Sequence, residues 1–249
     1  VFPLGTGGLN NVMGDGNGMG NYQDFGDLFL DFSQSGMTNE NVTNYVRDLD
    51  MRTAISSLHY DYEGVHYVRE YFATHKDGVM VIHLTASEKG KLSFTASAKS
   101  AAGLTTTVTA DKGRITLSGQ VNDNQMKCEM QAQIEKKGGN LKTNADGTVT
   151  VEQADEVTIV LSTGTNYKNE YPTYRGEDPH KGLTAAIDAA AKQSYEQLKE
   201  RHLEDYQQLF NRVELDLGGE CPQLPTDQMM KNYRAGTYDL AVEEMIYQF

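Results

Sequence analysis

The stretch that decides the fold runs from Ala54 to Phe72, AISSLHYDYEGVHYVREYF. Up to Tyr62 it alternates about every second residue, through Ile55 and the pairs Leu58/Tyr60 and His59/Asp61. Glu63-Gly64 then interrupts the run. Beyond it, Val65, Tyr67, Arg69 and Tyr71 fall on one side, and His66, Val68, Glu70 and Phe72 on the other. Period-two patterning on both sides of a Gly-containing turn predicts a β-hairpin. The β-branched and aromatic content suits a pleated, half-buried surface.

Working outward, the same signal recurs. Strands are expected at 27–32, 43–50, 53–62, 65–74, 79–86, 91–97, 104–110, 114–121, 126–135, 148–153 and 156–162. Asp77-Gly78, Lys89-Gly90, Asp111-Lys112-Gly113, Gly138-Gly139 and Asp146-Gly147 supply turn residues that tolerate positive φ. Short strands at near-regular spacing, with no internal repeat, predict a sandwich or a barrel. A polar link with Tyr and Pro follows at 166–179. Residues 184–211 then carry an apolar stripe, Ile187, Ala191, Tyr195, Leu198, His202, Tyr206 and Leu209/Phe210, at helical spacing. The stripe slips near Arg201-His202, where a bend or a second helix is expected. A short strand at 213–217, Gly218-Gly219, a helix capped by Thr226 and a last helical pattern at 239–249 complete the reading. The chain starts at Val1, shows no signal peptide, and stops without a capping Gly or Asn, so it reads as a fragment cut at both ends.

The 249 residues have room for one large β-domain or two modest ones. A hydrophobic content of 38% with 23% charged residues is that of a globular chain. The net charge of −13 argues against nucleic acid and against an anionic membrane surface, both of which call for basic patches. Solubility is the ordinary meaning of such acidity. No apolar run approaches the roughly 20 residues of a membrane span. Cys128 and Cys221 lack Cys-x-x-Cys spacing, which excludes zinc-ribbon or thioredoxin chemistry. One disulfide or two separate thiols would both fit, the second being commoner.

The candidate chemistry is sparse. The seven glycines within residues 5–20 fit neither a phosphate loop, since a strand and not a helix follows, nor a calcium loop, since Met19 and Gly26 stand where ligands belong. Asp24 and Asp27 are close carboxylates near a strand start, where capping or solvation is the ordinary role. Glycoside hydrolysis needs two carboxyls at a defined separation, roughly 5–5.5 Å or 6.5–9.5 Å, and no pair here reveals one. Asp48/Asp50, Asp61/Glu63 and Glu70 are expected to pair across strands with Arg47, Arg52 or Arg69. His59 and His66 flank the hairpin turn and would face each other, the one arrangement that suggests a metal. The chain has 14 Tyr and no Trp. Tyr60, Tyr62, Tyr67 and Tyr71 on the hairpin, and Tyr167, Tyr171 and Tyr174 in the link, are candidates for a sugar-stacking platform or for plain burial.

Several segments in order resemble glycoside hydrolase family 95, the α-L-fucosidases: YQDFGDLFLDF at 22–32, YVRDLDMRTA at 45–54, YEGVHYVREYFAT at 62–74, KLSF at 91–94, YRGEDP at 174–179, HLEDYQQLFNRVELDLG at 202–218 and LPTDQ at 224–228. The resemblance covers about residues 22–249. It implies a mainly β chain: an antiparallel β-supersandwich (1–180), an α-helical linker with a short return strand (181–223), and the first helix of an (α/α)6 catalytic barrel (224–249). Strands before the Gly-rich loop are missing relative to the family. Members are inverting exo-glycosidases, often on α-1,2-linked L-fucose, with some preferring α-L-galactose. They use a Glu general acid and a water activated through Asn with help from Asp, all in the barrel. None matches a position here, so catalytic residues are expected beyond Phe249, and no catalytic, cofactor or metal residue is assigned. The resemblance further implies a fucosylated glycan as partner of the parent enzyme, no cofactor, β-domain packing on the barrel, and a secreted, periplasmic or cell-surface bacterial source. The alternative is a stand-alone carbohydrate-binding β-sandwich. It is disfavoured by the helical stripes, which a lone module has no reason to carry.

Overall fold

A computed structural model describes residues 26–38, 40–100, 104–122, 124–220 and 224–249. The Gly-rich segment, Asp24 and Cys221 lie outside them. The expected hairpin is present as β3 (Ile55–Tyr62) and β4 (Val65–Thr74), registered Tyr60↔Tyr67 and Asp61↔His66. Glu63 and Gly64 both have positive φ, at 50° and 80°. Lys112-Gly113 and Gly138-Gly139 repeat that arrangement. Such two-residue turns match the right-handed twist of the strands they join.

The remaining strands are β1 (Gly26–Asp31), β2 (Thr43–Asp50), β5 (Val79–Ala86), β6 (Leu92–Ser100), β7 (Leu104–Asp111), β8 (Arg114–Val121), β9 (Lys127–Lys137), β10 (Asn140–Thr143), β11 (Val149–Ala154) and β12 (Glu156–Thr165). They form two antiparallel sheets, one ordered β1-β6-β11-β10 and the other β2-β3-β4-β5-β12-β9-β8-β7. The sheets stack face to face. Phe94, Val149 and Val151 of the small sheet meet Leu84, Ile115, Ile134 and Ile159 of the large one in a shared core, and these seven residues are each at most 2% exposed. The fold is therefore the expected β-sandwich followed by helices. β10 is not among the expected strands; its four residues are too few for a period to show.

The other face of the large sheet is covered by α1 (His180–Ala190) and α2 (Tyr195–Phe210). Ile187, Ala190, Tyr195 and Leu198 pack there on Ile55, Phe72, Val79, Val81 and Val160. The apolar stripe thus buries its first half as expected, but it runs out early: Leu209 is 57% exposed. The break falls at 191–194, not at Arg201-His202. Ser194 forms a capping box with Gln197, its hydroxyl accepting from the Gln197 amide at 3.3 Å while the Gln197 side chain accepts from the Ser194 amide at 2.9 Å. Paired donors of this kind start a new helix. The expected strand at 213–217 is absent. The Leu217 amide donates to Glu244 and the Val213 carbonyl accepts from Gln248, so side chains of a later helix take up its backbone in place of a neighbouring strand. Two further helices follow, α3 (Thr226–Arg234) and α4 (Leu240–Gln248). Thr226 is the first residue of α3, after Pro225, and makes no capping bond.

Candidate functional site

Three polar constellations sit where helices and link meet the large sheet. The first lies along β9. Its even positions, Ala132 and Ile134 among them, face the core. Its odd positions, Glu129, Gln131 and Gln133, are also buried, at 5%, 1% and 8% exposure. α1 covers them and supplies partners. Gln131 Nε2 donates to Glu129 Oε1 at 2.6 Å and to Thr184 Oγ1 at 2.9 Å. His180 Nδ1 sits 2.9 and 3.1 Å from the two Glu129 oxygens. Gln131 Oε1 is buried without a hydrogen-bond partner. Further along, Arg114 donates to Gln133 Oε1 at 2.9 Å and to Asp188 Oδ1 at 2.5 Å. That guanidinium holds the Asp188 carboxyl below its ordinary pKa. Where the ladder reaches the surface, a cleft of about 630 Å³ opens, lined by Thr105, Thr107, Ser118, Lys127, Glu129 and His180.

The second constellation docks α2. Tyr195 Oη donates to Glu70 Oε2 at 2.5 Å, and Lys199 Nζ donates to Glu70 Oε1 at 2.9 Å. The Tyr195 ring lies flat on His83, with centroids 3.6 Å apart and planes within 6°. Burial pushes the Tyr195 phenol far above its ordinary pKa, and the Glu70 carboxylate that accepts its proton adds to the shift. Burial works to raise Glu70 itself. The Tyr195 and Lys199 bonds outweigh it, and the carboxyl ends below its usual range. Burial likewise lowers the His83 pKa, against Glu156, Glu70 and Glu196, which act to raise it. Lys137 adds to the lowering.

The third is the link. A bridge between Tyr167 and Arg175 closes it into a loop. The Tyr174 amide donates to the Glu170 carbonyl at 2.8 Å and the Gly176 amide to the Asn166 carbonyl at 2.6 Å. Arg175 donates to the Asn124 carbonyl at 2.8 Å, and Asn166 Oδ1 accepts from the Lys127 amide at 2.9 Å. This frame holds Tyr167, Tyr171 and Tyr174 at 53%, 85% and 40% exposure. The first and last rings are parallel within 2°, with centroids 6.5 Å apart, and Tyr171 stands edge-on to Tyr174 at 6.4 Å.

The residues singled out in sequence fall into place around these. Asp27 is exposed on the edge strand β1, opposite Lys99. Asp48 accepts from Ser57 Oγ at 2.8 Å and lies 3.5 Å from His59. Asp50 accepts from the Arg52 amide at 2.9 Å, and Asp61 is bound by Asn44 and His66, both at 2.6 Å. The expected arginine pairs are thus replaced: Arg69 lies over the Phe32 ring at 4.1 Å and bonds the Tyr60 hydroxyl at 2.9 Å. His59 and His66 do face each other, with centroids 6.0 Å apart, each engaged by its own carboxylate. Among the described residues no group of three or more His, Cys, Asp or Glu is arranged for a metal ion. The hairpin tyrosines Tyr60 and Tyr67 are buried and stacked at 5.1 Å, so of the two tyrosine groups read in the sequence it is the link group that is offered to solvent. Cys128 is buried, which raises its thiol pKa. The Glu129 ladder escaped sequence reading, although the alternation of Glu129, Gln131, Gln133 and Glu135 with Cys128, Met130, Ala132 and Ile134 marks a strand with one polar face.

Residues 5–170 match the glycosyl hydrolase family 65 N-terminal domain. The chain belongs to that family. Residues 194–249 match the glycosyl hydrolase family 95 catalytic domain, the family to which the sequence motifs pointed. Alpha-L-fucosidase 2 of Arabidopsis thaliana is 26% identical over 92% of this chain and 30% of its own length. Probable alpha-fucosidase A of Aspergillus niger is 26% identical over 100% of this chain and 32% of its own. The chain spans about a third of the length of the curated relatives it matches. A solved structure described as a putative kojibiose phosphorylase from human microbiome has a TM-score of 0.49 and 8% identity over 68% of this chain and 25% of that one.

Proposed function

We propose that residues 1–249 are the N-terminal portion of an exo-acting, inverting α-L-fucosidase that removes terminal L-fucose, α-1,2-linked in the first instance, from glycans. The observation that carries this reading is the order of the two family matches, a family 65 N-terminal domain at 5–170 and a family 95 catalytic domain at 194–249. Both curated α-fucosidases named above align across nearly the whole chain. In this reading 1–180 is a scaffold domain, 181–223 a linker, and 224–249 the opening of the catalytic barrel. The scaffold is non-catalytic and packs on that barrel. Its carboxylates support this, because buried Glu129 and half-buried Glu70 already serve the structure. Glu129 is held by His180 and Gln131, and Glu70 by Tyr195 and Lys199. A secreted or cell-surface setting, and a bacterial source, rest on the family resemblance alone, since the relatives named above are plant and fungal.

The test is to recover the reading frame flanking residues 1–249 and assay its product on fucosides, with proton NMR to read the anomer first released. Release of L-fucose as the inverted anomer, by the full product and not by residues 1–249 alone, is the expected result. Hydrolysis by the 249 residues that is lost on mutating Glu129 or Glu70 to Gln, with the fold retained, would refute the scaffold reading.

A further inference from the structure

We propose that the link loop is a saccharide-binding platform in its own right, on which a pyranose stacks its C–H face on a tyrosine ring of the parallel Tyr167/Tyr174 pair and is flanked by Tyr171, set edge-on to Tyr174. Among the described aromatics, these three are the ones that are both well exposed and in ring contact with one another. Exposed aromatics that collapse onto nothing are kept in place here by backbone. The Tyr167–Arg175 bridge, the Glu170, Lys168 and Asn166 backbone bonds, and the Arg175 anchor on Asn124 fix the loop before any ligand arrives. Such preorganisation lowers the entropic cost of binding.

The surroundings select the ligand class. The loop reads NYKNEYPTYRG from Asn166 to Gly176, in which Pro172 is the one non-aromatic apolar side chain. Lys168 and Glu170 form an ion pair at 2.7 Å, and Asn169 lies 3.5 Å from the Tyr167 hydroxyl. Flat apolar faces ringed by hydrogen-bonding groups match a sugar, which is apolar on one face and hydroxylated at its edge. A protein partner is read less well, since anchors for one sit in desolvated pockets rather than on a projecting loop. The chain's net charge of −13 disfavours a polyanion. The platform also adjoins the polar cleft. Asn166, next to Tyr167, binds the amide of Lys127, and Lys127 and Asp178 line that cleft beside Thr105, Thr107 and Ser118. A second sugar residue would meet hydroxyls and charges there.

Choosing a fucosylated sugar as probe rests on the fucosidase reading; the platform does not. L-Fucose suits aromatic stacking because its axial 4-hydroxyl and C6 methyl leave one continuous apolar face. The experiment is a titration of the 249-residue chain with methyl α-L-fucoside and with a fucosylated trisaccharide, followed by NMR shifts and calorimetry. Saturable binding is expected. Tyr171→Ala should weaken it about two- to tenfold, and the double variant with Tyr174→Ala more. Tyr171→Phe, which keeps the ring, should retain most of it. Tyr45→Ala, an exposed tyrosine on β2, is the control and should change nothing. Absence of binding by either sugar, or binding that the Tyr171 and Tyr174 variants leave intact, overturns the platform. Hydrolysis of fucosides by the full-length product without sugar binding by these 249 residues would sink the platform and spare the fucosidase. Tyrosine-dependent binding with no hydrolysis would do the reverse.

Discussion

Replacing Tyr195 by Phe removes one oxygen from the joint between α2 and the sheet, and its cost can be worked from the geometry. The ring stays. It keeps its place on His83, at 3.6 Å between centroids, and beside Phe72 at 6.0 Å. What goes is the 2.5 Å bond to Glu70. Hydrogen bonds to charged groups contribute about 1.5–3 kcal/mol. Glu70 keeps Lys199 at 2.9 Å, and its side chain is 25% exposed, so water partly replaces the lost donor. The lower part of the range applies, about 1.5–2 kcal/mol. For a chain of this size that is a fall in Tm of about 3–8 °C. Tyr195→Ala also removes a ring that is nearly buried, which costs about 3–5 kcal/mol by itself. Thermal melts of the 249-residue chain, followed by far-UV circular dichroism, separate the two. If Tyr195→Phe melts within a degree of the parent, or as low as Tyr195→Ala, the hydrogen bond does not hold α2 down and the reasoning fails.

Two further outcomes follow. His83 has its pKa lowered by burial from an ordinary value of 6.5, so the folded state binds fewer protons than the unfolded one. Stability from this group is complete above pH 6.5 and is lost as pH falls from there toward the folded value. A melt series from pH 7.5 to 5 should show Tm declining, and His83→Gln, which keeps a partner for Thr158 at 3.0 Å, should flatten that decline; an equal slope in both proteins would count against it. Gly139→Ala places a methyl 2.2 Å from the Glu152 carbonyl oxygen at a φ of +57°, and neither the backbone of β11 nor the turn can yield cheaply. A loss of about 1–3 kcal/mol is expected from urea unfolding, and an unchanged midpoint would mean that the β9–β10 turn relaxes freely.

The sandwich was legible because strand alternation and turn chemistry agree at each hairpin. Glu63-Gly64, Lys112-Gly113 and Gly138-Gly139 announce in one dimension the left-handed turns seen in three. Errors came where a local pattern was outweighed. Val213–Leu217 alternates like a strand, but an isolated strand has no ladder, and Glu244 and Gln248 satisfy its backbone instead. The helix breaks at 191–194 and not at the slip of the stripe because the Ser194–Gln197 capping box starts a new helix there, a stronger signal than a change of apolar phase. Carboxylate partners were least legible. Asp48, Asp61 and Glu70 bind Ser57, Asn44 and Tyr195, partners set by strand register or by a helix distant in sequence and not by the nearby arginines.

The buried face of β9 shows why the helices belong with this sheet. Left uncovered, a strand face of Glu129, Gln131 and Gln133 would be solvated; here it is buried. Each of those groups costs free energy to desolvate unless it is bonded. α1 answers them position by position: His180 for Glu129, Thr184 for Gln131, and Asp188 for the Arg114 that also holds Gln133. Apolar contacts through Ile187 and Ala190 supply the attraction, and they tolerate sliding. The polar set does not, because a shift of one turn would strand the Glu129 carboxylate. The α1 helix is thereby docked on the large sheet in one register.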